Sequence, residues 1–235
     1  MASDSKSTAT PTTATPKVQD QRRDTDGTLK LGKKMAKVFV GDDQDEPFLV
    51  HFDLLIATSD FFKKALTGEF KEKEGVVRLA NESAETFQWY MRWLYDQRLP
   101  ESLQWRQYLD AYVFGVFIQD NKFCNASIDA LQDETTKTNK CPTHLASAAC
   151  EKLPFSSPFI RLLVDFWVRH TSSSDAWFEV DTSKDDRTKA PAEFWVAVAH
   201  GITIYHTTKA EDRRGYCVDN KCYYHIHAEG EPRCT

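Results

Sequence analysis

The spacing of apolar positions changes several times along this chain, and each change marks an element. Residues 1–28 carry almost no large apolar side chain; Ser, Thr, Ala and Pro dominate. Such a segment cannot bury enough surface to fold and is expected to be a disordered tail. Order is expected from about Leu31. Residues 37–41 (KVFVG) and 48–51 (FLVH) read as two short strands. A polar stretch with the breakers Gly41 and Pro47 joins them, which predicts a hairpin with a long loop. The period then becomes helical. Leu55, Ser59, Phe62 and Leu66 recur at i, i+4, i+7 and i+11, while Leu54, Thr58, Phe61 and Ala65 widen the face. Gly68 ends it, and residues 76–79 (VVRL) read as a third, β-branched strand.

Everything after that reads as helix and loop. Ser83 is placed as an N-cap, with Glu85 in the favourable first turn, ahead of a stripe of Phe87, Tyr90, Met91 and Leu94. Beyond Pro100, Trp105, Leu109, Tyr112, Val113, Val116 and Phe117 form a second stripe. Cys124, Ile128 and Leu131 form a weaker one. Residues 132–142 are polar and read as a loop. A short helix over 144–152 stops at Pro154. Ser157 and Pro158 open another helix, with Phe159, Leu162, Leu163, Phe166 and Trp167 on its buried face. Residues 171–190 are polar, with a short extended piece at 177–180. Trp195, Val198, Ala199, Ile202 and Tyr205 mark a last helix, and the chain turns polar and cysteine-containing from residue 209. Few strands beside many helices define the α+β class, a small sheet flanked by a helical cluster.

Charge and composition narrow the function. The formal net charge is -5 without a long Lys/Arg run, which argues against a nucleic-acid partner. No apolar stretch is long enough for a membrane span, and residues 1–28 lack the apolar core of a secretory signal. The six cysteines are therefore expected as reduced thiols in an intracellular protein of the cytoplasm or nucleus.

Residues 51–62 (HFDLLIATSDFF) carry His51, Leu55, Ser59 and Phe62: a His, a Leu four later, a Ser eight later and a Phe eleven later. This resembles the signature of the BTB/POZ family. The hairpin before it, residues 68–72 (GEFKE) with the strand at 76–79 after it, and Glu85-Thr86-Phe87 with Trp93-Leu94-Tyr95 resemble the same domain, in its fungal single-domain form. The resemblance spans roughly residues 36–131. It implies a BTB/POZ fold with a C-terminal helical extension, organised as 1–34 disordered tail, 35–131 BTB/POZ domain, 132–208 extension and 209–235 Cys/His-containing tail. It further implies protein association without chemistry: either a substrate adaptor of a cullin-RING ubiquitin ligase, or an oligomerising scaffold or transcription-related regulator that binds no cullin. A homodimer is an open expectation, since only residues 31–36 remain to supply an extra N-terminal dimerising element.

Phe70 and Glu72 are the candidate partner-binding residues. Cullin-binding members of the family use a hydrophobic-x-Glu motif in the loop before the third strand, the aromatic filling a pocket and the acid pairing beside it. The alternative is that Phe70 packs on the core and Glu72 is solvated. His51 is read as a structural histidine bonded to nearby backbone. Cys217, Cys222, His225, His227 and Cys234 are zinc-type donors, but the spacing lacks a matched second pair. If residues 223–227 were a strand, Cys222 would face away from both histidines, so no metal is assigned. No catalytic site, cofactor or small-molecule substrate is expected. There is no phosphate loop, nucleophile elbow or HExxH. His144 and Cys150 fall on different helix faces, and Asp165 is placed on a solvated one.

Overall fold

A computed structural model describes residues 22–41, 46–68, 75–170, 189–209 and 221–227. The hairpin forms as read. β1 (Met35–Val40) pairs antiparallel with β2 (Phe48–His51), Val38 opposite Phe48. β3 (Val76–Leu79) joins the other side of β1 in parallel, giving the order β2-β1-β3. Alternation along β1 turns Ala36, Val38 and Val40 into the core.

The helix expected over 52–67 is two helices, α1 (Phe52–Thr58) and α2 (Asp60–Thr67). Ser59 breaks them with an extended backbone (φ -109°, ψ 120°). Its hydroxyl accepts from the Phe62 amide and donates to the Ile118 carbonyl, so it caps α2 and ties it to a later helix. Leu54, Leu55, Phe62 and Leu66 are nevertheless all buried, because the break keeps both helices on one core. Ser59→Ala removes the cap and one buried bond. Urea unfolding is expected to show a loss of about 1–2 kcal/mol.

α3 (Ala84–Asp96) starts at the Ser83 cap as read. α4 (Trp105–Phe117) and α5 (Asn121–Thr138) form the centre of the molecule. Ala111, Phe114 and Phe123 face a first core shared with the sheet and α1–α3. Tyr108, Leu109, Tyr112, Cys124, Ile128 and Leu131 face a second core. α4 and α5 meet at Gly115, where an added Cβ would fall 2.7 Å from Cys124 Sγ and 3.2 Å from its backbone nitrogen. α5 is longer than expected. Residues 132–138 read as loop from their polarity, yet the hydroxyls of Thr135, Thr136 and Thr138 bond carbonyls four residues back, and Gln132 and Thr135 are buried.

A 3-10 turn (Thr143–Leu145), α6 (Ala146–Lys152), α7 (Pro158–His170) and α8 (Ala192–Thr207) complete the second core. The α7 stripe is buried as read, with the Ser157 hydroxyl accepting from the Phe159 amide. In α8 the buried line is Phe194 and Val198, and Ala199 is exposed. Trp195 lies beside that line, its ring edge-on to Trp167. The piece expected at 177–180 lies outside the described residues.

Order also begins earlier than Leu31. Residues 22–30 form a tight turn with an Arg23–Leu29 bridge, and Leu29 packs on the first core. Arg22, read from its polar neighbours as part of a tail, is 2% exposed. Its guanidinium donates to the Trp93 and Leu94 carbonyls and lies 4.3 Å from the centre of the Trp93 ring.

Candidate functional site

A buried polar chain links Thr58 at the end of α1 to α3 and to the start of α5. The Thr58 and Tyr90 hydroxyls are 3.2 Å apart, and Tyr90 donates to Asp120 Oδ2 at 3.1 Å. Asp120 Oδ1 accepts from the Phe123 amide and caps α5. Burial raises the Asp120 pKa to about 6, against the opposing pull of the Phe123 amide, the Thr58 and Tyr90 hydroxyls and the Arg22 charge. Burial and the neighbouring Asp120 charge raise Tyr90 well above its ordinary value. Tyr90 and Asp120 are both buried, so this chain lies inside the fold. His51 is structural too, but its partner is a side chain: Nδ1 lies 2.8 Å from the Tyr95 hydroxyl, which also accepts from the His51 amide.

Phe70 and Glu72 lie outside the described residues. The loop that holds them leaves α2 after Thr67 and re-enters β3 from Gly75, which has a left-handed backbone (φ 79°). On the same helix, half-buried Phe61 stacks near Phe117, ring centres 5.2 Å apart. Val116 and Phe117, read as part of a buried stripe, are each 42% exposed. The stripe is not buried throughout, because Phe114 and Ile118 turn into the first core and leave Val116 and Phe117, between them, facing outward. An apolar patch of Phe61, Val116 and Phe117 results, rimmed by the Lys64–Gln119 hydrogen bond. Sequence alone gave one signal for it: more apolar positions on α4 than a single face accommodates.

The C-terminal segment does not run as a strand. A 3-10 turn over Lys221–Tyr224 brings Cys222 round to the two histidines. Cys222 Sγ lies 3.0 Å from His227 Nε2, and donor atoms of Cys222, His225 and His227 all fall within 4.8 Å of one another. Asp165 is half-buried rather than on a solvated face: the Tyr224 hydroxyl donates to it, and burial raises its pKa. Cys217 and Cys234 lie outside the described residues.

Burial raises the thiol pKa of Cys124, and burial followed by the Glu193 charge raises that of Cys150, which opposes thiolate formation. An open groove of about 480 Å³ is lined by Leu103, Trp105, Glu134, Thr138, Lys140 and His144. No described helix is long and apolar enough to cross a membrane.

A small mixed sheet packs under a helical cluster that leaves Phe117 exposed. Residues 20–115 match the family model of the BTB/POZ domain, so the chain carries a BTB/POZ domain, a type of protein–protein interaction module. The match begins just before the buried Arg22 and ends within α4. No curated protein matches the chain.

Proposed function

We propose that the chain is a substrate adaptor of a cullin-RING ubiquitin ligase, acting in the cytoplasm or nucleus. The observation that supports this reading is exposed Phe117 of α4 against half-buried Phe61 of α2, the helix that leads into the Phe70-Lys71-Glu72 loop. Aromatic side chains at the centre of an interface supply most of its binding energy, and an acid beside them adds orientation. The BTB/POZ core docks the cullin through Phe70 and Glu72, and the helices after residue 131 recruit the client. The test is binding of the full chain to a purified cullin N-terminal domain by calorimetry. Phe70→Ala is expected to weaken binding by about 2 kcal/mol, roughly thirtyfold, with an unchanged circular dichroism spectrum. Absence of binding by the unaltered chain, or equal binding by the folded Phe70→Ala and Glu72→Ala variants, overturns the assignment.

Self-association is the second reading, favoured by Leu31, Met35 and Leu49, which are exposed on and beside the hairpin. Met35 faces His51 and Lys37 faces Leu49 across the ladder. These positions share the outward face of the hairpin, a seat for a second copy. Light scattering of the full chain distinguishes a dimer from a monomer, and Leu49→Lys reports whether this face is the contact.

A further inference from the structure

We infer that Cys222, His225 and His227 form a binding site for a zinc-class divalent transition metal, which fastens the C-terminal segment to α5. One thiolate and two imidazoles are a borderline-soft donor set that suits zinc and disfavours magnesium or calcium. Their donor atoms already lie within 4.8 Å of one another. Around tetrahedral zinc, a sulfur and a nitrogen ligand stand about 3.6 Å apart. Cys222 Sγ and His227 Nε2, 3.0 Å apart as a hydrogen-bonded pair, need open by only about half an ångström.

The surroundings are those of a metal histidine. His225 Nε2 lies 2.9 Å from Asp129 Oδ1, on the side of α5 that faces the segment. Where a histidine donates Nε2–H to a carboxylate in this way, Nδ1 is the nitrogen through which it ligates a metal. This carboxylate–histidine pairing fixes the tautomer and orientation of zinc ligands. Backbone bonds hold the segment in the same place. Asn125 donates from Nδ2 to the Ile226 carbonyl at 2.9 Å and accepts the Ile226 amide at 2.8 Å. The ligands are thus presented by a docked segment, which reduces the ordering cost of binding. Three protein ligands leave the fourth position to water or to a further donor.

The spacing Cys222-x2-His225-x1-His227 is too irregular to read as a metal motif. It becomes one through the 3-10 turn, which a sequence pattern of period two or 3.6 does not anticipate.

The experiment uses the full chain, stripped with chelator, reloaded with zinc and passed through gel filtration. Bound metal is measured by mass spectrometry, and cobalt(II) is then substituted for zinc to give a spectrum. One metal ion per chain is expected, together with the intense near-ultraviolet band of a cobalt–thiolate bond. Cys222→Ser is expected to abolish that band and His227→Gln to weaken zinc at least tenfold in a chelator competition. Asp129→Asn, which touches no metal, is expected to weaken it by roughly ten- to a hundredfold. Circular dichroism and the unfolding midpoint of each stripped variant keep loss of fold distinct from loss of a ligand. Failure of the folded chain to retain zinc, or a cobalt band that persists in Cys222→Ser, overturns the proposal and leaves Cys222 and His227 as a hydrogen-bonded pair.

Discussion

Arg22→Ala is expected to lower the unfolding free energy by about 3 kcal/mol, a large loss for a residue that sequence reading places in a disordered tail. Three interactions go at once. The guanidinium donates at 3.1 and 3.3 Å to the carbonyls of Trp93 and Leu94, in the last turn of α3. Helix-terminal carbonyls lack intrahelical partners and carry partial negative charge, so a buried cation there is favourable. The left-handed Gln97 also contributes its amide to the Trp93 carbonyl, so that carbonyl accepts from both Gln97 and Arg22. The guanidinium also lies over the Trp93 ring, a cation–π contact strengthened by burial. Against these gains stands the cost of burying the cation, which its removal recovers and which keeps the expected loss near 3 kcal/mol. Arg22→Lys should recover only part of it, because an ammonium cannot stack flat on indole while bonding two carbonyls. A chain beginning at Leu31 should be destabilised as much as Arg22→Ala. Equal urea midpoints for the full chain and Arg22→Ala would show the contact to be incidental.

The sequence was most informative where periodicity and caps act locally. The hairpin, the third strand, the Ser83 cap and the stripe from Phe159 to Trp167 follow from short-range chemistry that tertiary contacts only reinforce. It was least informative where a distant partner decides. Nothing around Arg22 indicates that Trp93 waits 71 residues away. The polar stretch 132–138 stays helical because one face is covered by the second core and its threonines return their hydroxyls to the backbone. Ser59 on an apparently continuous stripe concealed a break, since a capping serine and a small core serine look alike until the Ile118 carbonyl is in place. The candidate sites divide in the same way. Cys222, His225 and His227 were visible as donor types, and only the turn that gathers them was missing. The exposure of Val116 and Phe117 depends on which face of α4 the first core covers, which no local pattern encodes.

The Asp120 carboxyl should make stability fall as pH rises through the mildly acidic range. Its pKa is raised from 3.8 to about 6 in the folded chain, burial outweighing four favourable neighbours. Below about pH 4 the group is protonated folded and unfolded, and it carries no penalty. Between about 4 and 6 the folded chain holds a proton that the unfolded chain has released, so stability declines across this window. Above about 6 both forms are ionised and the decline is complete, at about 3 kcal/mol from 1.36 kcal/mol per unit. Other carboxylates titrate too, so the informative quantity is a difference. Asp120→Asn keeps a capping oxygen for the Phe123 amide but cannot ionise. Its stability relative to the unaltered chain should climb by about 3 kcal/mol between pH 4 and pH 7. The same group links to Arg22, whose charge favours ionised Asp120. Loss of Arg22 should therefore cost more at pH 7, where a buried carboxylate is left without that cation, than at pH 4. In the Asp120→Asn background that pH dependence should vanish, because the double-mutant cycle then contains no titrating partner. An Arg22→Ala penalty that is the same at both pH values in the parent background would separate the two residues energetically and confine Arg22 to its role at the end of α3.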